Sequence, residues 1–439
     1  MDNKKLQLQQ YIGQHPILCK KIKYRQMYLS LIRVLCENNQ KDILWKNSMI
    51  QLMKKKLLED VDFLDLRIDP KKGICINGKN SFLNKYIFSK FRYSILTDCL
   101  FLNAFDNQDD GKAVLEAVCR VFPNYKKKLS LLFDCFYHVD MTVIKKHFPV
   151  MENVYKIISA NRAFIAGPEK NIMVTANMSA GKSTLLNALV GKKVNKTQND
   201  TCTAKIHYIY NKAGEDGFSC KLDHDLELDA SLDILMEYNE RNESQEIRVG
   251  TRFRSLQTID AGVCFIDTPG VNSSKNSEHR EMTARAISEI KCDLLIYLMN
   301  GESIGTDDDT RHLSAVSNNY HGNIIFLVNK LDSFKKNSDS VPETLAKVKD
   351  DLIKIGFKEP KVFPVSAYAA YLAKLSLFGE ELTDDEKDDM EFRKRKLSRD
   401  EFRYDKYFDV PFQNTGEANE AEVLLRNSGI LSLEKLIYN

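Results

Sequence analysis

No apolar run in the 439-residue chain approaches the roughly 18 residues needed to cross a bilayer. The longest, "DLLIYLMN" and "NIIFLVN", have the length of buried strands. The opening "MDNKKLQLQQYIGQ" lacks the apolar block and small-residue cleavage site of a signal peptide. The ten cysteines contain no C-x-x-C pair and no neighbouring histidines at zinc-site spacing. They read as reduced thiols, Cys264 in "VCFID" among them as a core residue. There is no internal repeat. Together these absences predict a soluble, cytoplasmic protein without a disulfide or zinc scaffold.

What is present is a core and a divided charge. Apolar residues make up 43% of the chain and aromatics 10%, enough for two or three domains with substantial interiors. The net charge of +3 separates into +12 over residues 1–165 and −9 over the remainder. Two readings of the basic part stand side by side. It is a lysine-rich solvated helical surface, or it faces something anionic: a membrane leaflet, a nucleic acid or the acidic half of the same molecule.

Residues 1–165 are poor in glycine and proline, and apolar residues recur there at three- and four-residue spacing, as in "CKKIKYRQMYLSLIRVLCENN". That spacing predicts amphipathic helices. "DPKKGICINGKNS" interrupts them with turn chemistry, and Pro123 and Pro149 mark helix starts or kinks. From residue 166 onward short strand-like runs alternate with helices: "NIMVTA", "AKIHYIY", "GVCFID", "DLLIYLMN", "NIIFLVN" and "KVFPVSA". The prediction is an all-α helical domain, residues 1–165, followed by an α/β domain, residues 166–439. Its sheet is mainly parallel and flanked by helices, with a ligand at the strand C-termini. The almost wholly charged residues 380–404 read as an exposed helix or mobile loop with no chemistry assigned.

Four motifs follow four of those strands. "ANMSAGKSTLLNALVG" has the strand–turn–helix context of a phosphate-binding loop, although Ala176 stands where the usual pattern has glycine. That alanine is tolerable if its φ is negative. Asn177, Ala180, Gly181 and Thr184 would cradle the phosphates, Lys182 would neutralise the β- and γ-phosphates, and Ser183 would ligate Mg²⁺. "IDTPG" brings Asp267 to the Mg²⁺ and the Gly270 amide to the γ-phosphate. In "FLVNKLD" the Asp332 carboxylate can accept from guanine N1 and N2, a donor pair adenine lacks, while the Lys330 stem covers the base and Asn329 steadies the loop. "FPVSAY" places Ser366 and Ala367 where a backbone amide meets guanine O6. An isolated Asp-Thr-Pro-Gly turn or Gly-Lys-Ser helix start means little; all four in order predict a guanine-nucleotide site for GTP or GDP.

On these motifs the chain resembles the translation-factor-like class of GTPases, and more narrowly the dynamin superfamily, especially its bacterial members, over about residues 150–439. Ser179, two residues before Gly181, matches a serine common in dynamin-like proteins. "NKTQNDTCTAKIHYIY" resembles their first switch, which implies that Thr203 senses Mg²⁺ and the γ-phosphate, with Thr201 in reserve. "GESIGTDDDTRHL" and the closing "NSGILSLEKLI" also resemble this superfamily. Lys182 and Asp267 lie 85 positions apart, which fits its enlarged domain. Val271 occupies the neighbourhood of the water-orienting glutamine of Ras-like GTPases and cannot hydrogen-bond water. The resemblance instead implies hydrolysis after GTPase domains pair across their nucleotide faces. Ser179 would stabilise the transition state and Thr203 would orient the water; Ser179 acting only as a loop cap is the plainer alternative.

The resemblance implies as partners a second copy or a related dynamin-like subunit, and a membrane surface met peripherally. No stalk-like segment follows the GTPase motifs, so such a module is expected from the N-terminal helices or a partner. Two alternatives remain. One is a ribosome- or RNA-associated Era-like GTPase, against which no KH-type G-x-x-G or aromatic RNA-binding pattern is found, making nucleic acid the weaker partner. The other is a low-turnover GTP-binding assembly subunit. His279 and His312 fall in helices after the switch and are expected at the surface.

Overall fold

A computed structural model describes residues 3–37, 41–59, 61–69, 73–80, 82–177, 179–194, 205–241, 244–257, 259, 262–269, 277–334, 340–409 and 419–438. Chain contacts divide it into two units: Met1–Ala166 with Ala213–Ser219 and His224–Asp229, and the remaining residues from Gly167 onward.

The first unit holds seven helices among the described residues: α1 (Ile22–Glu37), α2 (Ile43–Leu58), α3 (Phe82–Asn103), α4 (Gln108–Val121), α5 (Lys126–Tyr137), α6 (Met141–His147) and α7 (Glu152–Ala166). Their apolar stripes meet in a core containing Tyr28, Trp45, Phe101, Phe136 and Tyr155, all at most 1% exposed. Pro123 and Pro149 each open a 3₁₀ turn that runs straight into α5 or α7. On α3 the buried Asp98 carboxylate accepts from the Tyr11 hydroxyl, the Tyr28 hydroxyl at 2.5 Å and His15 Nε2 at 3.1 Å. His15 Nδ1 accepts from the Ile17 amide, which leaves the ring proton on Nε2 for Asp98. The predicted turn at residues 69–81 is part of a small antiparallel sheet, β1 (Leu66–Asp69), β2 (Gly73–Ile76) and β3 (Lys79–Asn80). Asn77 and Gly78, both at positive φ, form its two-residue hairpin turn.

The nine remaining strands among the described residues form one sheet. They are β4 (Glu169–Ala176), β5 (Ile206–Asn211), β6 (Phe218–Leu222), β7 (Asp225–Ala230), β8 (Glu246–Thr251), β9 (Gly262–Asp267), β10 (Leu294–Asn300), β11 (Ile324–Asn329) and β12 (Lys361–Val365). Their order is β12-β11-β10-β4-β9-β5-β8-β6-β7. The five strands β12, β11, β10, β4 and β9 are mutually parallel, and β5 runs antiparallel to β9. Around them lie α8 (Lys182–Val190), α9 (Leu232–Glu240), α10 (Ser277–Glu289), α11 (Asp307–Asn319), α12 (Val341–Ile355), α13 (Ala367–Leu377), α14 (Asp384–Leu397), α15 (Glu420–Asn427) and α16 (Ile430–Tyr438). This is the expected α/β architecture, a mainly parallel sheet flanked by helices and preceded in the chain by a helical region.

Register positions the site. Ala176 pairs with Leu298, Val174 with Asp267, and Asn329 with Val365. Because the strands are parallel, the segments that leave β4, β9, β11 and β12 emerge at one edge of the sheet. Behind that edge, α8 buries Leu185, Leu186 and Leu189 completely, each burial contributing about 1.5–3 kcal/mol. A fully buried pair, Lys374 on α13 and Glu434 on α16, joins α8 to the closing helices. Lys374 Nζ also donates to the Leu189 carbonyl at 3.0 Å, and the Ser255 hydroxyl donates to Glu434 at 2.6 Å.

Candidate nucleotide site

The loop after β4 resolves the question of the missing glycine. Ala176 is the last residue of the strand, fully buried, and does not adopt positive φ. An alanine there carries no backbone strain. The demanding position is Gly181, at φ +92°, where a Cβ would come within 2.5 Å of Asn329 Nδ2. Lys182 opens α8, with Ser183 and Thr184 behind it in the first turn, whose amides have no partner inside the helix. Ser179 is exposed and holds φ +62°, an uncommon conformation for a residue with a side chain.

Across the turn, Lys182 forms an ion pair with Asp267 at the end of β9, their side chains 12% and 9% exposed. The Thr268 hydroxyl donates to the Val174 carbonyl at 3.1 Å and fastens this segment to β4. His207 on β5 lies opposite Asp267 in the sheet. Desolvation lowers its pKa to about 4 against the pull of Asp267, so it is neutral at pH 7. Among the described residues no cluster of three His, Cys, Asp or Glu could hold a metal by itself. The Ser183 hydroxyl and Asp267 carboxylate are hard oxygen donors, the set Mg²⁺ takes when phosphate oxygens and water complete its shell. These residues fit that ion. Thr203 and Gly270, the expected switch threonine and γ-phosphate amide, lie outside the described residues, as do Thr201 and Val271.

The specificity segments are tied to the phosphate loop through Asn329. Its Nδ2 donates to the Ala180 carbonyl at 2.8 Å and its Oδ1 accepts from the Ala367 amide at 3.0 Å. Asn329 is 4% exposed, so both bonds are sheltered from water. Lys330 sits at φ +67° and turns the chain so that Asp332 faces inward, 8% exposed. Burial raises the Asp332 pKa, while Arg393 and a hydrogen bond from Ser366 oppose that. One cavity of about 530 Å³ is lined by Gly181 and Thr184 from the phosphate loop, Lys330 and Asp332 from the specificity turn, and Ser366.

Residues 172–331 match the family model described as "Dynamin family". Over that segment the chain resembles the dynamin superfamily. That family binds and hydrolyses GTP in general. Dynamin-like protein A of Bacillus subtilis (strain 168) is 26% identical over 206 residues, covering 45% of this chain and 16% of that protein. A probable transmembrane GTPase, FZO-like and chloroplastic, from Arabidopsis thaliana is 25% identical over 240 residues, covering 53% and 23%. The chain thus spans less than a quarter of either relative. Among solved structures, an oligomerised bacterial dynamin pair aligns at 17% identity and TM-score 0.33, over 57% of this chain and 39% of that one. Era of Aquifex aeolicus aligns at 17% identity and TM-score 0.28, over 49% and 58%. None of the described helices is long and apolar enough to cross a membrane.

Three features of this site were not anticipated. His312 is buried, not on the surface: its Nε2 lies 3.1 Å from the Thr175 hydroxyl under the phosphate loop, and desolvation lowers its pKa to about 4. Beside it the Asp309 carboxylate accepts from Asn177 Nδ2 and from the Tyr297 hydroxyl at 3.0 Å, bracing the loop from behind. The "GTDDDT" run contained Asp309 but gave no sign of its inward aim. Finally, the charged segment without assigned chemistry folds as α14, and its Phe392 and Arg393 line the cavity together with Tyr368. Tyr368 directly follows Ser366 and Ala367, a position that could have been read as the next residue of the base pocket.

Proposed function

We propose that this chain binds GTP with Mg²⁺ and hydrolyses it to GDP and phosphate when two GTPase domains pair across their nucleotide faces. The second domain belongs to another copy or to a related dynamin-like subunit. The observation that supports the reading is one cavity lined both by phosphate-loop residues Gly181 and Thr184 and by the Asp332 carboxylate. Lys182 and the amides at the start of α8 would hold the β- and γ-phosphates, and Ser183 and Asp267 the Mg²⁺, which would spread the developing charge. Ser179, exposed at the mouth of the loop, is free to place a stabilising dipole at a paired face. Thr203 is assigned the attacking water, catalysis here being positioning and electrostatics.

The nucleotide state would pass to the helical unit, residues 1–165 forming its main part. The charge of +12 on residues 1–165 supports a peripheral, anionic membrane surface on the cytoplasmic side as the effector. Sedimentation with GDP, a non-hydrolysable GTP analogue and a transition-state mimic tests the pairing. Dimers with the mimic, and turnover per molecule that rises with protein concentration, are expected. Indifference to nucleotide together with flat turnover contradicts the proposal. Ser179→Ala should lower turnover while leaving nucleotide affinity within about twofold.

A further inference from the structure

Arg393 stands outside every GTP-binding motif, on the third turn of α14, a helix that composition alone would send to solvent. Yet its guanidinium is clamped on three sides. Nη1 donates to Asp389 Oδ1 at 2.9 Å, the group lies 4.5 Å from the Tyr368 ring centroid, and Nε lies 3.5 Å from Asp332 Oδ2. The side chain is only 18% exposed, and Nε is buried without a hydrogen bond. We propose that Arg393 is a positioning residue for guanine recognition, holding the Asp332 carboxylate in place for the purine N1–H and 2-amino donors. The inference rests on the reading of the cavity as a GTP site.

Acceptor geometry separates support from competition. A carboxylate offers about four lone-pair positions, of which guanine takes one on each oxygen. Arg393 approaches Oδ2, and the Ser366 hydroxyl also bonds the carboxylate. The arginine can therefore fill a position the base leaves open, and the Tyr368 stack and Asp389 anchor keep it there. Asp332 is faced by Lys330 on its own turn, Arg393 and Lys396 on α14, the Ser366 hydroxyl before α13, and Tyr404; Glu302 also lines the cavity. Burial pushes the Asp332 carboxyl up, and Arg393 is the strongest opposing charge. Without it, protonation would reach further towards neutral pH and remove an acceptor.

The test uses the full chain with fluorescent GTP and inosine triphosphate, which lacks the 2-amino group, titrated from pH 5.5 to 8.5. Arg393→Ala should weaken GTP binding about tenfold at pH 7, narrow the GTP-to-inosine preference and move the acidic fall-off to higher pH. Arg393→Lys should restore the pH profile more fully than the base preference, since it returns the charge but not the planar fork. Asp389→Asn, which loosens the anchor and keeps the arginine, should shift both readouts in the same direction by less, and it serves if Arg393→Ala folds poorly. An unchanged pH profile and preference in these variants would reduce Arg393 to packing. Tighter GTP binding by Arg393→Ala would make it a competitor of the base. A parent chain with no guanine preference would overturn the GTP-site reading itself, and the inference with it.

Discussion

Asn329→Ala removes one side chain and leaves two buried backbone groups without partners. The Ala180 carbonyl loses a donor at 2.8 Å and the Ala367 amide loses an acceptor at 3.0 Å. An unsatisfied buried group costs about 1–3 kcal/mol, so about 3 kcal/mol is expected for the pair after partial relaxation. For a domain of this size that lowers the melting temperature by about 6–12 °C. Asn329→Asp should do worse at the phosphate loop: it keeps an acceptor for Ala367 but sets a carboxylate against the Ala180 carbonyl. Thermal melts and GTP titrations on both variants measure this. If Asn329→Ala melts within 2 °C of the parent and binds GTP equally well, Asn329 is not the tie between the two loops.

The Lys374–Glu434 pair is fully buried, so Lys374→Met should destabilise by about 3–5 kcal/mol, whereas Lys374→Met with Glu434→Leu should recover much of the loss. Melting temperatures that fall further in the double variant would contradict that coupling. His312 has its pKa lowered by burial to about 4 from 6.5, so the folded chain binds fewer protons than the unfolded one. Its contribution to stability is intact above pH 6.5 and is lost as the pH falls towards 4; at pH 5 the loss is about 2 kcal/mol. His312→Gln, which can still bond Thr175, should flatten the fall in melting temperature between pH 7 and 5 by that share, leaving the share of His207.

Strands with continuous apolar runs were legible because burial on both faces selects Val, Ile, Leu and Phe, as in β9 to β11. The strands between residues 218 and 251 were not, since "FSCKL" and "DLELDA" are short and only half apolar. The four motifs were readable as strand-end segments because each follows an apolar strand with fixed residue types. Arg393 was hidden by its setting. The acidic first turn, basic last turn and Thr383–Glu386 capping box of α14 make a stable helix from a composition that resembles a solvated loop. What turned that helix inward was Met390, Arg393, Lys396 and Leu397 on one face, a short stripe lost among fourteen mostly charged residues. His207 and Asp309 depended on tertiary placement: β5 runs antiparallel beside β9, and α11 folds behind the phosphate loop.

Under the proposed function, Asp332 reads guanine in this cavity. Equilibrium titration of GTP, ATP and xanthosine triphosphate against the parent chain and Asp332→Asn tests it most directly. The parent should prefer GTP over ATP by at least about a hundredfold, two charge-assisted bonds at about 1.5–3 kcal/mol each being at stake. Asp332→Asn should lose that preference and gain affinity for the xanthine nucleotide, whose 2-carbonyl accepts from the new amide. Equal binding of GTP and ATP by the parent, or unchanged selectivity in Asp332→Asn, would contradict the account.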